Sequence, residues 1–285
     1  MTRSDPAQFL SAEQAVRIRS WLGNVQVLED LSWNLTDTKV LHLRSNQREF
    51  ILKTGGENNH HISRELHAHQ GYTAELKSRG IAANMLFSSE ELRLMVLDYL
   101  PGQLCVGTRN EFSPDIYRQA GAALKLFHRQ AQRVDQNYEA RLALKFRRLL
   151  SLEHRISLHH CQQIERILDA QVPQVVVLVP THGDWQPRNW LVDRGLLRII
   201  DFGRFEFRPA ASDLARLAVQ QFKGHPELEF AFLEGYGQDP RHEPSWGIMQ
   251  LREAIGTAIW AYQVGDAEFE AQGHLMLQEA LARFE

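Results

Sequence analysis

The chain has 285 residues, of which 44% are apolar and 24% charged, and its formal net charge is −3. This is the composition of an ordinary globular protein with a substantial core, and so small a net charge argues against a general affinity for nucleic acid or anionic membranes. The longest aliphatic run, 175–179, is far shorter than the roughly 20 residues of a membrane-spanning helix. The amino terminus has no signal-like apolar stretch, and two cysteines do not make a disulfide framework. We therefore expect a cytoplasmic protein with no nucleic-acid and no membrane partner.

The first hundred residues predict two helices and the strands of an antiparallel sheet. A capping box at Ser11 and Gln14 begins a helix that runs to about Leu22. A helix is also expected over 58–79. Apolar and β-branched runs separated by polar turns predict the strands, near 25–28, 40–43, 50–53, 85–87 and 92–98.

The remainder of the chain is expected to be mainly helical, with one hairpin. Ser113 and Pro114 begin a helix that extends to about Ala131, and 138–170 predict two charged amphipathic helices. Strands at 190–192 and 196–200 predict a hairpin whose turn uses the conformational freedom of Gly195. Three or four helices then complete an α+β chain.

A Pro-Gly turn after the fifth predicted strand marks the expected division of the chain. Residues 99–102 would form a hinge, with 1–98 as the N-lobe and 103–285 as the C-lobe.

The nine residues from His182 to Trp190, followed by Asp201-Phe202-Gly203, carry the most specific chemical signal. An aspartate (Asp184), an amide five residues later (Asn189) and a second aspartate beyond a short hairpin can surround a magnesium-bound triphosphate. In such a site the first aspartate receives the proton of an attacking hydroxyl, and the other two side chains bind Mg²⁺. The spacing therefore predicts phosphoryl transfer.

The first part of the chain supplies candidate anchors for the nucleotide. Lys53 ends a predicted strand and could bind the α- and β-phosphates. Glu65, twelve residues later on the predicted helix, could pair with Lys53 and hold it in place. The alternative is a surface lysine with an unrelated helical glutamate.

With these residues in place, the chain resembles the aminoglycoside phosphotransferase and choline kinase family, small-molecule kinases with a protein-kinase-like fold. The likeness covers nearly the whole chain in element order and is most specific at three motifs, His182-Gly183-Asp184 to Asn189, Ile200-Asp201-Phe202-Gly203 and Ser212-Asp213-Leu214-Ala215.

The resemblance implies a two-lobe fold and a role for each matched residue. Asp184 would be the catalytic aspartate, with Asn189 and Asp201 as magnesium ligands. Backbone groups near Asp98 and Leu100 would meet the adenine edge. ATP is the implied phosphoryl donor, with GTP as the alternative.

Two departures from the family's pattern concern the phosphates. The loop at 31–38 has no glycine, so side chains such as Thr36 and Thr38 would replace backbone amides as donors. Gln186 stands where the family often has histidine; Arg188 or Arg204 could supply the missing charge, and surface ion pairing is the alternative. These departures favour, as a second hypothesis, a catalytically silent nucleotide-binding module.

The acidic carboxyl-terminal segment suggests the acceptor. From Leu217 to Glu285, eleven acidic side chains face four basic ones. By the resemblance, this favours a small cationic acceptor, an aminoglycoside-like antibiotic first, with choline or ethanolamine, a homoserine-like amino alcohol or a sugar as alternatives. The alternative interpretation is a solvated acidic face over a core tryptophan. The candidate substrate contacts are carboxylates and aromatic rings of this segment: Glu229, Glu234, Glu253, Trp260, Tyr262 and Asp266.

Overall fold

The computed structural model describes residues 8–33, 37–57, 59–171, 174–242 and 245–284. The helices in these ranges are α1 (Ala12–Leu22), α2 (His60–Gly71), α3 (Ala74–Ser78), α4 (Pro114–His128), α5 (Tyr138–Leu150), α6 (Leu158–Asp169), α7 (Ala215–Gln220), α8 (Pro226–Tyr236), α9 (Ser245–Val264) and α10 (Ala267–Leu281). The strands are β1 (Gln26–Asp30), β2 (Lys39–Ser45), β3 (Arg48–Thr54), β4 (Met85–Ser89), β5 (Leu94–Asp98), β6 (Gln103–Leu104), β7 (Arg133–Asp135), β8 (Val176–Thr181), β9 (Trp190–Asp193), β10 (Leu196–Ile199) and β11 (Glu206–Arg208). The predicted α+β class, with an amino-terminal antiparallel sheet and a mainly helical remainder, is confirmed.

The chain divides by its own packing into two compact units. The first comprises 1–131, 180–206 and 230–237, and the second the remaining residues. These bounds do not follow the predicted hinge at 99–102, because α4 and the β9–β10 hairpin pack with the first unit. The division into an N-lobe and a C-lobe stays a prediction.

A five-stranded antiparallel sheet in the order β1-β2-β3-β5-β4 forms the first part of unit one. The β2–β3 hairpin turns through Asn46 and Gln47, both at positive φ, in the two-residue turn that suits the strand twist. The predicted capping box opens α1, whose Ile18 and Leu22 pack on one face of the sheet. β3 is the central strand and pairs with β2 on one side and β5 on the other. Its position is therefore fixed by both neighbours, as are the side chains that it presents on the face opposite α1.

Helix α2 packs on that other face. Ile62 and Leu66 are one helical turn apart and join Met95 and Leu97 of β5 in a buried cluster. Asn59 caps the helix by accepting from the amides of the first turn. The predicted helix over 58–79 is corrected to two helices, since α2 ends at Gly71 and α3 begins at Ala74; Asn58 lies outside the described residues.

The β9–β10 hairpin also belongs to the first unit and has the predicted turn. Arg194 and Gly195 both have positive φ, with Asp193 paired to Leu196. β6 adds to this hairpin as a third strand. Two or three residues of strand carry too little periodicity to be read from a sequence, and β6, β7 and β11 were all missed for this reason.

The second unit is mainly helical. Helices α5, α6, α9 and α10 enclose its apolar core, and β7 pairs with β8 beside them. Four α-helices follow β11 in the described residues, in agreement with the predicted three or four. None of the helices in the described ranges is both long and apolar enough to cross a bilayer.

Candidate active site

Lys53 and Glu65 form a buried ion pair in the first unit. Lys53 lies near the end of the central strand β3, and its Nζ donates to Oε1 and Oε2 of Glu65, each at 2.8 Å. The two residues are only 7% and 2% exposed. Burial raises the pKa of the Glu65 carboxyl, against the opposing effect of Lys53. The sequence-based pairing of these two residues therefore agrees with the geometry, because docking of α2 turns Glu65 toward β3.

Asp201 is the second carboxylate on the same ammonium group. Its Oδ1 lies 3.3 Å from Lys53 Nζ, and its backbone has a φ of 64°, a left-handed conformation that aspartate tolerates better than most residues. The Lys53 charge lowers the pKa of the Asp201 carboxyl. Burial alone would lower the pKa of Lys53, but Asp201 and Glu65 together raise it above its usual value. The Lys53–Asp201 contact therefore favours the charged form of both groups.

The backbone of Ile200 holds both ends of the His182–Asn189 motif beside Asp201. Its carbonyl accepts from Nε2 of His182 at 3.0 Å, and its N–H donates to the carbonyl of Asn189 at 3.0 Å. The His182 ring also packs against Phe202, with 4.9 Å between ring centroids. These local contacts explain why residues so far apart along the chain converge.

The Asp184 carboxylate is surrounded by donors from its own loop. Oδ1 accepts from Nε2 of Gln186 at 2.5 Å, and Oδ2 accepts from Nδ2 of Asn189 at 2.9 Å. Arg188 reaches the same Oδ2 with Nη2 at 2.7 Å and Nε at 3.3 Å. The sequence did not predict that Gln186 and Arg188 would bond to Asp184, because both contacts form within a loop that has no helical spacing to indicate them.

Asn189 and Asp201 present oxygen atoms suited to a hard cation. Asn189 Nδ2 donates to both the carbonyl and the carboxylate of Asp184, so Oδ1 is the atom that its amide offers to a metal. The Asp201 side chain is 52% exposed. Among the described residues, no three His, Cys, Asp or Glu side chains cluster as a metal site by themselves. One or two protein oxygens completed by phosphates and water are what Mg²⁺ accepts, so the donor set fits it.

The glycine-free loop is tied to the start of α2. Asn59 Nδ2 donates to Oγ1 of Thr38 at 2.8 Å and also to Asp37, while the Gly56 amide donates to Oδ2 of Asp37 at 3.2 Å. Thr36 lies outside the described residues. Phosphate binding by Thr36 and Thr38 stays a prediction.

The predicted adenine-binding segment follows β5. The Asp98 amide donates to the Asn84 carbonyl at 2.9 Å, and the Asp98 carboxylate accepts from Asn84 at 3.1 Å. Leu100 packs against the apolar cluster beneath α2. Contact of Asp98 and Leu100 with a nucleotide stays a prediction.

The three glutamates proposed for the acceptor are already engaged in ion pairs within their own units. Each accepts from an arginine: Glu229 from Arg241 at 2.5 Å, Glu234 from Arg118 at 2.8 Å, and Glu253 from Arg216 at 2.6 Å.

The other three acceptor candidates lie in the second unit. Asp266 caps α10 by accepting from the Phe269 amide at 3.0 Å. Tyr262 donates its hydroxyl to Glu153 at 2.7 Å, and Trp260 is 37% exposed with its ring edge on Phe269. A substrate role for any of the six stays a prediction.

Comparison with known proteins gives a family match. The model of the phosphotransferase enzyme family matches residues 28–250. No curated protein sequence matches the chain.

Solved structures share the fold at low identity. A choline kinase from Streptococcus pneumoniae is 16% identical, with a TM-score of 0.64 over 94% of this chain and 97% of that one. A thermostable mutant of aminoglycoside phosphotransferase APH(4)-Ia, bound to ADP and hygromycin B, is 11% identical, with a TM-score of 0.69 over 95% and 98%. A macrolide 2′-phosphotransferase from Brachybacterium faecium is 19% identical, with a TM-score of 0.59 over 94% and 98%. The predicted protein-kinase-like fold is confirmed.

Proposed function

The chain belongs to the phosphotransferase enzyme family, and we propose that it transfers the γ-phosphoryl group of ATP to a hydroxyl of a small cationic molecule. The observation that carries this proposal is the convergence of Lys53, Glu65 and Asp201 with the Asp184–Asn189 loop. Phosphoryl transfer depends on positioned charges rather than on covalent catalysis, and these side chains provide them.

In the proposed reaction Asp184 accepts the proton of the acceptor hydroxyl. The acceptor oxygen forms a bond to the γ-phosphorus, and the bond from that phosphorus to the β–γ bridging oxygen breaks, which leaves ADP. Lys53, held by Glu65, positions the phosphates. Asn189 Oδ1 and Asp201 would hold Mg²⁺, which when bound neutralises charge on the phosphates.

Two observations support a cationic acceptor: the acidic excess of the sequence after Leu217 and the names of similar structures. The contacts of the individual candidate residues add little support. The aminoglycoside phosphotransferase and the choline kinase act, by their names, on compounds that carry amino or quaternary ammonium groups. Because the predicted glutamates are already paired with arginines, a cation would have to compete with those pairs. The acceptor panel should therefore contain kanamycin and choline together with a neutral sugar.

The test is ATP and GTP consumption across that panel by the wild type and by Asp184→Asn. We expect kcat to fall about 10²- to 10⁴-fold in the variant, the range for loss of a general base. Asp193→Asn is the matched control, since Asp193 is a carboxylate of the same unit that pairs with Arg198 on the hairpin. Undiminished turnover by Asp184→Asn would contradict the assigned role.

A catalytically silent nucleotide-binding module is the second candidate. It is favoured by the donors from Gln186, Arg188 and Asn189 that surround the Asp184 carboxylate. Nucleotide binding without turnover on any acceptor of the panel would support this candidate and reject the kinase.

A further inference from the structure

Arg188 occupies one oxygen of Asp184, the carboxylate that accepts the proton in the proposed reaction. Arg188, Gln186 and Asn189 direct four N–H donor atoms at the two oxygens of Asp184. A carboxylate has about four lone-pair positions. Three of the four donors, two from Arg188 and one from Asn189, converge on Oδ2, so an acceptor hydroxyl can bond to this oxygen in good geometry only after one of them has moved away.

The exposure of the three donors indicates which one moves. Gln186 and Asn189 are each 5% exposed, and Asn189 is held further by its bond to the Asp184 carbonyl at 2.9 Å. The Arg188 side chain is 45% exposed and is long and unbranched to its guanidinium. Arg188 can therefore leave Asp184 by rotation of its side chain, without movement of the buried loop.

The charges of the site indicate what attracts Arg188. The Lys53 ammonium is shared between Glu65 and Asp201, and Asp184 lies close enough for its charge to act on Asp201. The contacts described above thus place the Lys53 ammonium between two carboxylates, with Asp184 as a third carboxylate nearby. A phosphate group offers several anionic oxygens to a planar guanidinium, which binds them through paired hydrogen bonds.

Building on the proposed function, we propose that Arg188 is the γ-phosphate ligand and exchanges its bond to Asp184 for the group that is transferred. Gln186 has no charge to offer a phosphate, so Arg188 provides the positive charge from the same loop. The exchange frees Oδ2 of Asp184 from Arg188 when a triphosphate is bound. A diphosphate has no γ-phosphate and leaves the Arg188–Asp184 pair in place.

The test measures nucleotide binding and needs no acceptor. Calorimetric affinities for Mg²⁺ with the non-hydrolysable triphosphate AMP-PNP, and for Mg²⁺ with ADP, are compared in the wild type, Arg188→Ala and Arg188→Lys. We expect Arg188→Ala to weaken AMP-PNP binding about tenfold, as for loss of one charge-assisted hydrogen bond, and Arg188→Lys to restore part of it. The affinity for ADP should stay within about twofold, the scatter expected when no such bond is lost. Arg44→Ala is the matched control, because Arg44 is 49% exposed and pairs with Glu49 at 2.6 Å.

A double-mutant cycle separates phosphate binding from a purely structural role. Asp184→Asn weakens the hold on Arg188, so it should tighten AMP-PNP binding in the wild-type background and tighten it less when Arg188 is already alanine. Two results would overturn the role of Arg188 and leave the proposed function standing. One is an equal loss of affinity for AMP-PNP and ADP in Arg188→Ala. The other is a change in AMP-PNP affinity on Asp184→Asn that is the same with arginine and with alanine at position 188. A wild type that binds neither nucleotide would overturn both this role and the proposed function.

Discussion

At the scale of single residues, the Lys53–Glu65 pair serves position more than stability. Both side chains lose their hydration on burial, and a desolvated ion pair contributes little net stability even at 2.8 Å. Removal of one partner is different, since it leaves the other charge buried and costs roughly 3–5 kcal/mol. The pair therefore fixes the position of an ammonium group where the phosphates are expected.

His69, one turn after Glu65 on α2, should make the protein sensitive to acid. Its ring is 3% exposed, and Nε2 lies 3.9 Å from Glu65 Oε1, beyond hydrogen-bond distance. Burial, with a contribution from Lys53, lowers the pKa of His69 from 6.5 to about 3. The unfolded chain binds this proton below pH 6.5 and the folded chain does not, so stability is lost as the pH falls.

We expect this linkage to remove about 2 kcal/mol of unfolding free energy between pH 7.5 and pH 5. His69→Leu should lack this part of the loss, whereas His159→Gln, at an exposed position, should retain it. Urea unfolding at the two pH values measures the difference. An acid sensitivity of His69→Leu equal to that of the wild type would contradict the assignment.

At the scale of elements, two glycines allow α4 and α8 to cross at backbone contact. A methyl group on Gly121 would lie 2.0 Å from the carbonyl oxygen of Phe232, and one on Gly235 would lie 1.9 Å from that of Arg118. Neither oxygen can move without displacement of a helix. This crossing brings α8 onto α4 within the first unit, and it depends on both glycines.

Gly121→Ala and Gly235→Ala should each lower the unfolding free energy by about 3 kcal/mol, because the overlap falls on rigid backbone. Gly256→Ala is the matched control: it is also a helical glycine, in α9, and a methyl group there meets nothing within 4 Å. That substitution should stabilise by about 0.5–1 kcal/mol through helix propensity. Denaturant unfolding of the three variants provides the measurement, and a Gly121→Ala variant as stable as Gly256→Ala would show that the crossing can relax.

The elements also show what could be predicted from the sequence. The capping box at Ser11, the turn at Gly195 and the Asp184-to-Asn189 spacing are local patterns, and the structure has them where they were expected. The partners of Asp184 were not predicted, because the sequence alone does not show which side chains of a motif turn toward one another. Strands such as β6 exist only through pairing with a distant segment.

At the scale of the whole molecule, the acidic excess counted in the carboxyl-terminal sequence overstates the negative charge that is left unpaired in the structure. The segment from Leu217 has an excess of acidic residues, but several of its glutamates pair with arginines from earlier in the sequence, Arg118, Arg155 and Arg216. Lys223 also pairs with Glu279. The negative charge available to a cationic ligand is correspondingly smaller than the sequence suggests. Asp201, the predicted metal ligand, shares the Lys53 ammonium with Glu65, and its side chain is half exposed.

Nucleotide-linked stability should therefore depend on Mg²⁺ through Asp201. A ligand at about 100 times its dissociation constant stabilises the folded state by about 2.7 kcal/mol, and this raises the melting temperature. We expect AMP-PNP with Mg²⁺ to raise the melting temperature of the wild type by several degrees more than AMP-PNP with EDTA. Asp201→Asn keeps a residue that tolerates the left-handed backbone but removes the charge, so this Mg²⁺-dependent increment should largely disappear. Asp193→Asn should keep it. Asp201 also contacts Lys53, so the rise in melting temperature with AMP-PNP and EDTA serves as the internal reference. If Asp201→Asn lowers this rise as much as it lowers the rise with Mg²⁺, Asp201 acts through Lys53 and not as a metal ligand.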